Sequence, residues 1–191
     1  MIEDCTALIL AGGNSRRMGQ DKAMLVLDGV TLLECISVTM RKVFPEVLIS
    51  VRQPREDMVL AQVCDTHASG GPLAGLAAGL SRIKTPWVFA VACDMPFITP
   101  AVVENLATFR DKHEAVVPVV SNFPQPLAAY YATSALEKIE AALDSNDNSL
   151  RGMLGQLDVR YVSEVELRKC DSQFRSFIDL DTPQEYQAAL K

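Results

Sequence analysis

The chain has 191 residues, 49% of them hydrophobic and 22% charged, with 18 Lys+Arg against 24 Asp+Glu for a formal net charge of −6. That length suffices for one well-buried core, and a single domain over residues 1–191 is expected. The acidic balance offers no broad basic surface, which argues against nucleic acid as a partner. No cationic leader precedes an apolar segment, and no run approaches the roughly 20 apolar residues that cross a bilayer, so a soluble, cytoplasmic protein without membrane association is expected.

In chain order, short apolar runs alternate with longer segments of helical period. That is the pattern of an α/β domain with a mostly parallel sheet. Strands are predicted over 6–10, 47–51, 63–65, 87–93, 115–120 and 127–132. Between the first two, Thr31 with Glu34 forms a capping box ahead of the apolar stripe Leu32, Leu33, Ile36, Met40 and Val43. Gly71, Gly75 and Gly79 recur four apart in a small-residue helix, a spacing that predicts close packing on the sheet. Thr99 with Pro100 opens another helix, and Ser134 with Glu137 and Thr182-Pro183 with Glu185 mark two more. The stretch DSNDNS (144–149) reads as a turn. Five widely spaced cysteines with no C-x-x-C pair fit neither a disulfide framework nor a zinc site, and most are expected to be small buried hydrophobes.

Ligands in open α/β sheets bind beyond the carboxyl ends of the strands, so the residues just after each apolar run carry the functional reading. After the first strand, residues 8–22 read LILAGGNSRRMGQDK. Glycines there let peptide N–H groups approach an anion, and Arg16, Arg17 and Lys22 place three cations in one short loop, the layout of a polyphosphate cradle. The loop matches neither G-x-x-x-x-G-K-[ST] nor G-x-G-x-x-G, which disfavours the usual P-loop and dinucleotide folds. A plain solvated charge run is the bland alternative for its cations. After the third strand comes Asp65, a candidate ligand residue or simply a turn former. After WVFAVAC comes Asp94, a carboxylate that must be paired, hydrated or holding a metal to stay ionised. Mg²⁺ on a nucleotide would meet that need, since it takes one or two carboxylates and completes its shell with phosphate oxygens and water. The alternative is a turn before Pro96.

The segment Leu10-Ala11-Gly12-Gly13-x-x-x-Arg17-Met18-Gly19-x-Asp21-Lys22 resembles the signature loop of nucleotidyltransferases with a glycosyltransferase-A-like fold. GGPLAGL (70–76), CDMPF (93–97), QPL (125–127), the arginine of SLRGML (149–154) and a terminal D-x-D-T-P (179–183) narrow the resemblance to the molybdenum cofactor guanylyltransferase family, over nearly the whole chain. It implies a three-layer α/β/α, Rossmann-like fold of the nucleotide-diphospho-sugar transferase type. It implies an enzyme that transfers GMP from GTP to the terminal phosphate of molybdopterin, with Mg²⁺ as cofactor and passing contact with molybdenum-insertion or molybdoenzyme maturation proteins. By carry-over, Leu10, Ala11, Gly12 and Gly13 hold the nucleotide, and Arg17 and Lys22 contact its phosphates. Asp94 binds the metal. Ser50 and Asp65 align with base or ribose contacts, and Gly71 sits where the helix start meets the nucleotide. Arg151, Asp179 and Asp181 face the second substrate.

Two details refine that expectation. LAGG at 10–13 and GPLAGL at 71–76 are more typical of relatives that use GTP, whereas those that use CTP tend to read LAAG, so Gly12 is expected to leave room beside guanine. The terminal motif commonly carries asparagines where this chain has Asp179 and Asp181; these carboxylates would accept hydrogen bonds from pterin donors, or Asp181 would merely cap the helix after it. The competing readings are a cytidylyl- or sugar-1-phosphate nucleotidyltransferase of the same fold and a catalytically silent nucleotide-binding subunit.

Overall fold

The computed structural model describes residues 1–12, 22–56, 58–65, 67, 71–145, 148–180 and 182–189. Strand β1 (Cys5–Leu10) leads through a 3-10 turn (Lys22–Met24) to a hairpin of β2 (Val26–Leu27) and β3 (Val30–Thr31). Asp28 and Gly29 both have positive φ (51° and 82°), the backbone a two-residue hairpin turn needs. Helix α1 (Leu32–Val43) follows with the expected capping box: the Glu34 N–H donates to Thr31 Oγ1 at 3.2 Å, and the Thr31 N–H to Glu34 Oε2 at 2.9 Å. Then come β4 (Glu46–Val51), β5 (Ala61–Cys64), α2 (Gly71–Arg82), β6 (Trp87–Ala92) and α3 (Pro100–Ala107), the last capped by the Thr99 hydroxyl. The remainder is β7 (Ala115–Val120), β8 (Phe123–Pro124), β9 (Ala128–Ala132), α4 (Leu136–Asp144), α5 (Leu150–Leu154), β10 (Val159–Val162), α6 (Glu164–Leu167) and α7 (Pro183–Ala189).

The sheet runs in the order β10-β7-β9-β6-β1-β4-β5, with β8 folded back on β7. Along that path only β9 is reversed; it pairs antiparallel with both β6 and β7. Each central strand sends alternate side chains to opposite faces. Ala7 and Ile9 of β1 join Ile36, Met40, Val102 and Leu106 of α1 and α3, whereas Leu8 and Leu10 join Leu73, Leu76, Ile139 and Leu143 of α2 and α4. Two apolar layers thus sandwich the sheet, giving the expected three-layer α/β/α arrangement. No helix among the described residues is long and apolar enough to cross a membrane.

Several local expectations are corrected. Ser134 does not cap α4: the chain first makes a 3-10 turn (Thr133–Ala135), and Ala135 occupies the cap position without a side-chain bond. The cause is Thr133, whose N–H and hydroxyl both donate to the Pro86 carbonyl (2.9 and 3.2 Å), tightening the chain as it leaves β9. Of the helical glycines, Gly75 and Gly79 do permit close packing, whereas Gly71 opens α2 at φ +89° with no described residue near its missing Cβ. None of the five cysteines is in a disulfide, and only Cys5 and Cys93 are buried, the other three being partly exposed.

Candidate active site

The carboxyl ends of β1, β4 and β6 open onto a cleft of about 380 Å³, within the usual range for small-ligand sites. Its floor is backbone held by the sheet's own hydrogen bonding. The Ala11 N–H donates to Ser50 O (3.0 Å) and the Cys93 N–H to Leu10 O (3.2 Å), extending the ladders past the strand ends. Leu10 and Ala11 therefore present fixed peptide groups to the cleft. Gly12 follows, its carbonyl accepting from Arg52 Nε at 3.0 Å. Among the described residues a Cβ on Gly12 would come no closer than 3.5 Å, to Arg52 Cγ, an ordinary contact, so none of them requires glycine there.

Helix α2 forms one wall and approaches closely because of its glycines. A Cβ on Gly75 would lie 2.7 Å from Ser50 Oγ and 2.9 Å from Leu10 Cδ2; one on Gly79 would lie 2.2 Å from Leu8 Cδ2. Ser50, only 2% exposed, borders the cleft beneath Gly75. Gly71 and Asp65 also line this side. The Asp65 N–H continues the sheet to Val51 O at 3.0 Å, and its Oδ1 accepts from the His67 N–H at 2.9 Å, so Asp65 both borders the cleft and makes the turn that follows β5.

Across the floor, Asp94 emerges from the end of β6 and meets Lys22, which opens the 3-10 turn after the glycine loop. Lys22 Nζ donates to Asp94 Oδ2 at 2.8 Å, with the two side chains 17% and 15% exposed. A carboxylate and an ammonium from segments 72 residues apart are thus joined in the cleft. Asp179 is delivered by the chain before α7: the Leu180 N–H donates to Asp94 O (2.9 Å), and the Leu180 side chain, 1% exposed, is buried with Leu27 and Leu32. Burying a leucine contributes about 2 kcal/mol, enough to fix this segment over the cleft. The Tyr186 hydroxyl, donating to Val26 O, ties α7 to the β2–β3 hairpin.

Of the residues singled out from sequence, Leu10, Ala11, Gly12, Lys22, Ser50, Asp65, Gly71, Asp94 and Asp179 converge on this one cleft. Arg151 does not line it; its side chain is exposed on α5, one residue beyond Leu150, which does. Gly13, Arg16, Arg17 and Asp181 lie outside the described residues. The helix cap that Asp181 was considered for is supplied by Thr182, whose Oγ1 accepts from the Glu185 N–H at 3.2 Å. The structure adds lining residues that the strand-end rule passed over. Gln125, Pro126 and Leu127 reach the cleft because β9 is reversed, which sets its start beside the end of β6, with the Ala92 N–H donating to Leu127 O at 3.0 Å. The family motif QPL was the signal that could have placed them.

Chemically, the described lining offers three carboxylates and one ammonium around fixed backbone. A polyanion can enter only with cations to offset those carboxylates, which Lys22 and a metal ion can provide. Comparison with known proteins gives the same direction. The MobA-like NTP transferase domain model matches residues 7–161. The molybdenum cofactor guanylyltransferase of Desulfosudis oleivorans is 34% identical over 194 residues, covering 98% of this chain and 95% of its own. A probable molybdenum cofactor guanylyltransferase of Pelotomaculum thermopropionicum is 34% identical over 182 residues, covering 94% and 89%. Among solved structures, molybdopterin-guanine dinucleotide biosynthesis protein A from Archaeoglobus fulgidus superposes with a TM-score of 0.86 at 28% identity, covering 96% of each chain. The 2-C-methyl-D-erythritol 4-phosphate cytidylyltransferase of Thermus thermophilus, at a TM-score of 0.69 and 19% identity over 97% of this chain and 96% of its own, shares the fold.

Proposed function

The chain belongs to the family of MobA-like NTP transferases, and from that premise we propose that it transfers GMP from GTP to the terminal phosphate of molybdenum-carrying molybdopterin. The observation that carries this reading is the convergence, in one cleft, of the β1 strand end with the Lys22–Asp94 pair. An oxygen of the pterin's phosphate attacks the α-phosphorus of GTP; a new P–O–P bond forms as the bond to the β-phosphate oxygen breaks, and pyrophosphate leaves with the electron pair. Such chemistry needs positioning and charge neutralisation rather than a protein nucleophile. Leu10, Ala11 and Gly12 hold the nucleoside from fixed backbone, with Gly13, Ser50, Asp65 and Gly71 around it. Lys22 and Arg17 take charge that develops on the departing pyrophosphate. Asp179 and Asp181 meet the pterin, and Arg151 is within reach of a substrate that extends past the cleft.

Magnesium fits this site. Asp94 presents a carboxylate at 15% exposure on the cleft floor, and the described residues contain no cluster of three or more His, Cys, Asp or Glu that would form an all-protein cage. That donor set matches a metal held by one carboxylate with substrate phosphates completing its shell. Bound at Asp94, the ion would neutralise the triphosphate. The enzyme is proposed to act in the cytoplasm as one domain over residues 1–191, with passing contacts to molybdenum-insertion or molybdoenzyme maturation proteins.

Mass spectrometry of the pterin after incubation with GTP, Mg²⁺ and molybdenum cofactor tests the reaction. A guanosine monophosphate adduct is expected; an unchanged pterin, with turnover on sugar phosphates instead, would overturn it.

A further inference from the structure

We infer that Lys22 is a placeholder cation for the metal at Asp94, so that a divalent ion binds strongly only together with a nucleotide's phosphates. The inference rests on the proposed role of Asp94 as metal ligand. Lys22 Nζ already lies 2.8 Å from Asp94 Oδ2, and both side chains are more than four-fifths shielded from water. A carboxylate so shielded is costly to leave unpaired, and the ammonium meets that cost in the free protein. A divalent ion arriving alone must displace the ammonium or sit beside it. Either way the ammonium and the ion compete for Asp94, because the other cleft carboxylates, Asp65 and Asp179, do not join it in a cluster of three that could hold a metal, and like charges here repel more strongly than in bulk water.

A triphosphate changes the balance. Its oxygens can accept the Lys22 ammonium and ligate the metal at once, so each cation keeps an anion. Lys22 is built to make that exchange. Its backbone is anchored by the 3-10 turn, where the Leu25 N–H donates to Lys22 O at 3.1 Å and Ala23 is fully buried, while the ammonium rides on a flexible four-carbon stem. Metal and nucleotide affinity are thereby coupled, and by linkage each strengthens the other equally.

The test is Mn²⁺ binding by the full chain, read by electron paramagnetic resonance with no acceptor present. Wild type is expected to bind Mn²⁺ alone weakly and to gain a protein-bound ion when GTP is added. Lys22→Met frees the carboxylate and should bind Mn²⁺ alone about tenfold more tightly, with a smaller further gain from GTP. Lys22→Arg keeps the cation and should stay weak for the metal alone, which separates charge from any disturbance of folding. If Lys22→Met binds Mn²⁺ alone no better than wild type, while Asp94→Asn abolishes the GTP-dependent ion, the placeholder role is wrong and the metal role of Asp94 stands. If Asp94→Asn leaves the GTP-dependent ion unchanged, both fall.

Discussion

The two halves of the sheet serve the cleft in different ways. In β6-β1-β4-β5 every strand is parallel, and the cleft floor is main chain that runs on past the strand ends under sheet hydrogen bonds. In β10-β7-β9 the strand next to β6, β9, is reversed, so the cleft receives the entry to a strand, Gln125–Leu127; the segment carrying Asp179 reaches the cleft as a loop docked on Asp94 O through the Leu180 N–H. The first half offers fixed peptide groups and two carboxylates, Asp65 and Asp94; the loops at Gln125 and Asp179 offer side chains that no strand carries. The nucleotide substrate, which must be held the same way at every turnover, suits the rigid half. A second substrate that differs between relatives suits the half where loops can change without disturbing the ladder.

The largest expected effect lies at the boundary of the halves. Asp94→Asn should lower turnover by on the order of a thousandfold in a pyrophosphate-release assay while leaving the thermal melt close to wild type, because the loss falls on charge stabilisation and not on the core. Activity retained within tenfold would remove Asp94 from the chemistry.

Next in size is a test of how tightly the rigid half is packed. Gly79→Ala places a methyl 2.2 Å from Leu8 Cδ2, and overpacking of this kind costs about 1 to 3 kcal/mol in urea unfolding. Gly71→Ala meets none of the described residues and should cost only about 1 kcal/mol, through its φ of +89°. Equal costs at the two positions would mean that α2 shifts freely on the sheet, contrary to a rigid floor.

The loop-carried side chains predict a smaller and more selective effect. Asp179→Asn removes a charge that no strand depends on, so it should change KM for the pterin acceptor several-fold, on the scale of one charged hydrogen bond, and leave KM for GTP unchanged. A change in KM for GTP instead would place Asp179 on the nucleotide side.

The same division explains what could be read from the amino-acid sequence. Long apolar runs located β1, β4 and β6, and the polar end of β6 located Asp94, because burial on both faces writes a strong pattern; Leu10 and Ser50 were marked as ligand contacts by the family resemblance alone. The capping signals at Thr31 and Thr99 were legible for the same reason: one local hydrogen bond decides them. The reversed half was harder. Strand β10 is short and sits at the sheet's edge, and the cleft position of Gln125 depends on the direction of β9, which no local pattern encodes. The β2–β3 hairpin was missed despite its Asp28-Gly29 turn signal, since two-residue strands show no alternation. Ser134 misled because the pull of Thr133 on Pro86 is tertiary.

The smallest expected effect is also the sharpest test of the rigid half. Gly12→Ala adds a methyl whose nearest neighbour among the described residues would be 3.5 Å away, so stability should stay within about 0.5 kcal/mol of wild type. If the fold does not need this glycine, the remaining reason for it is the ligand. Guanine carries an exocyclic amino group that cytosine lacks, and a methyl on a floor that cannot retreat should crowd the larger base more. The ratio of kcat/KM for GTP to that for CTP is therefore expected to fall by roughly tenfold, the scale of one methyl group in a close-fitting pocket. An unchanged ratio would mean that Gly12 does not face the base, and that discrimination lies elsewhere along the nucleotide wall, with Ser50 and Asp65 the next residues to vary.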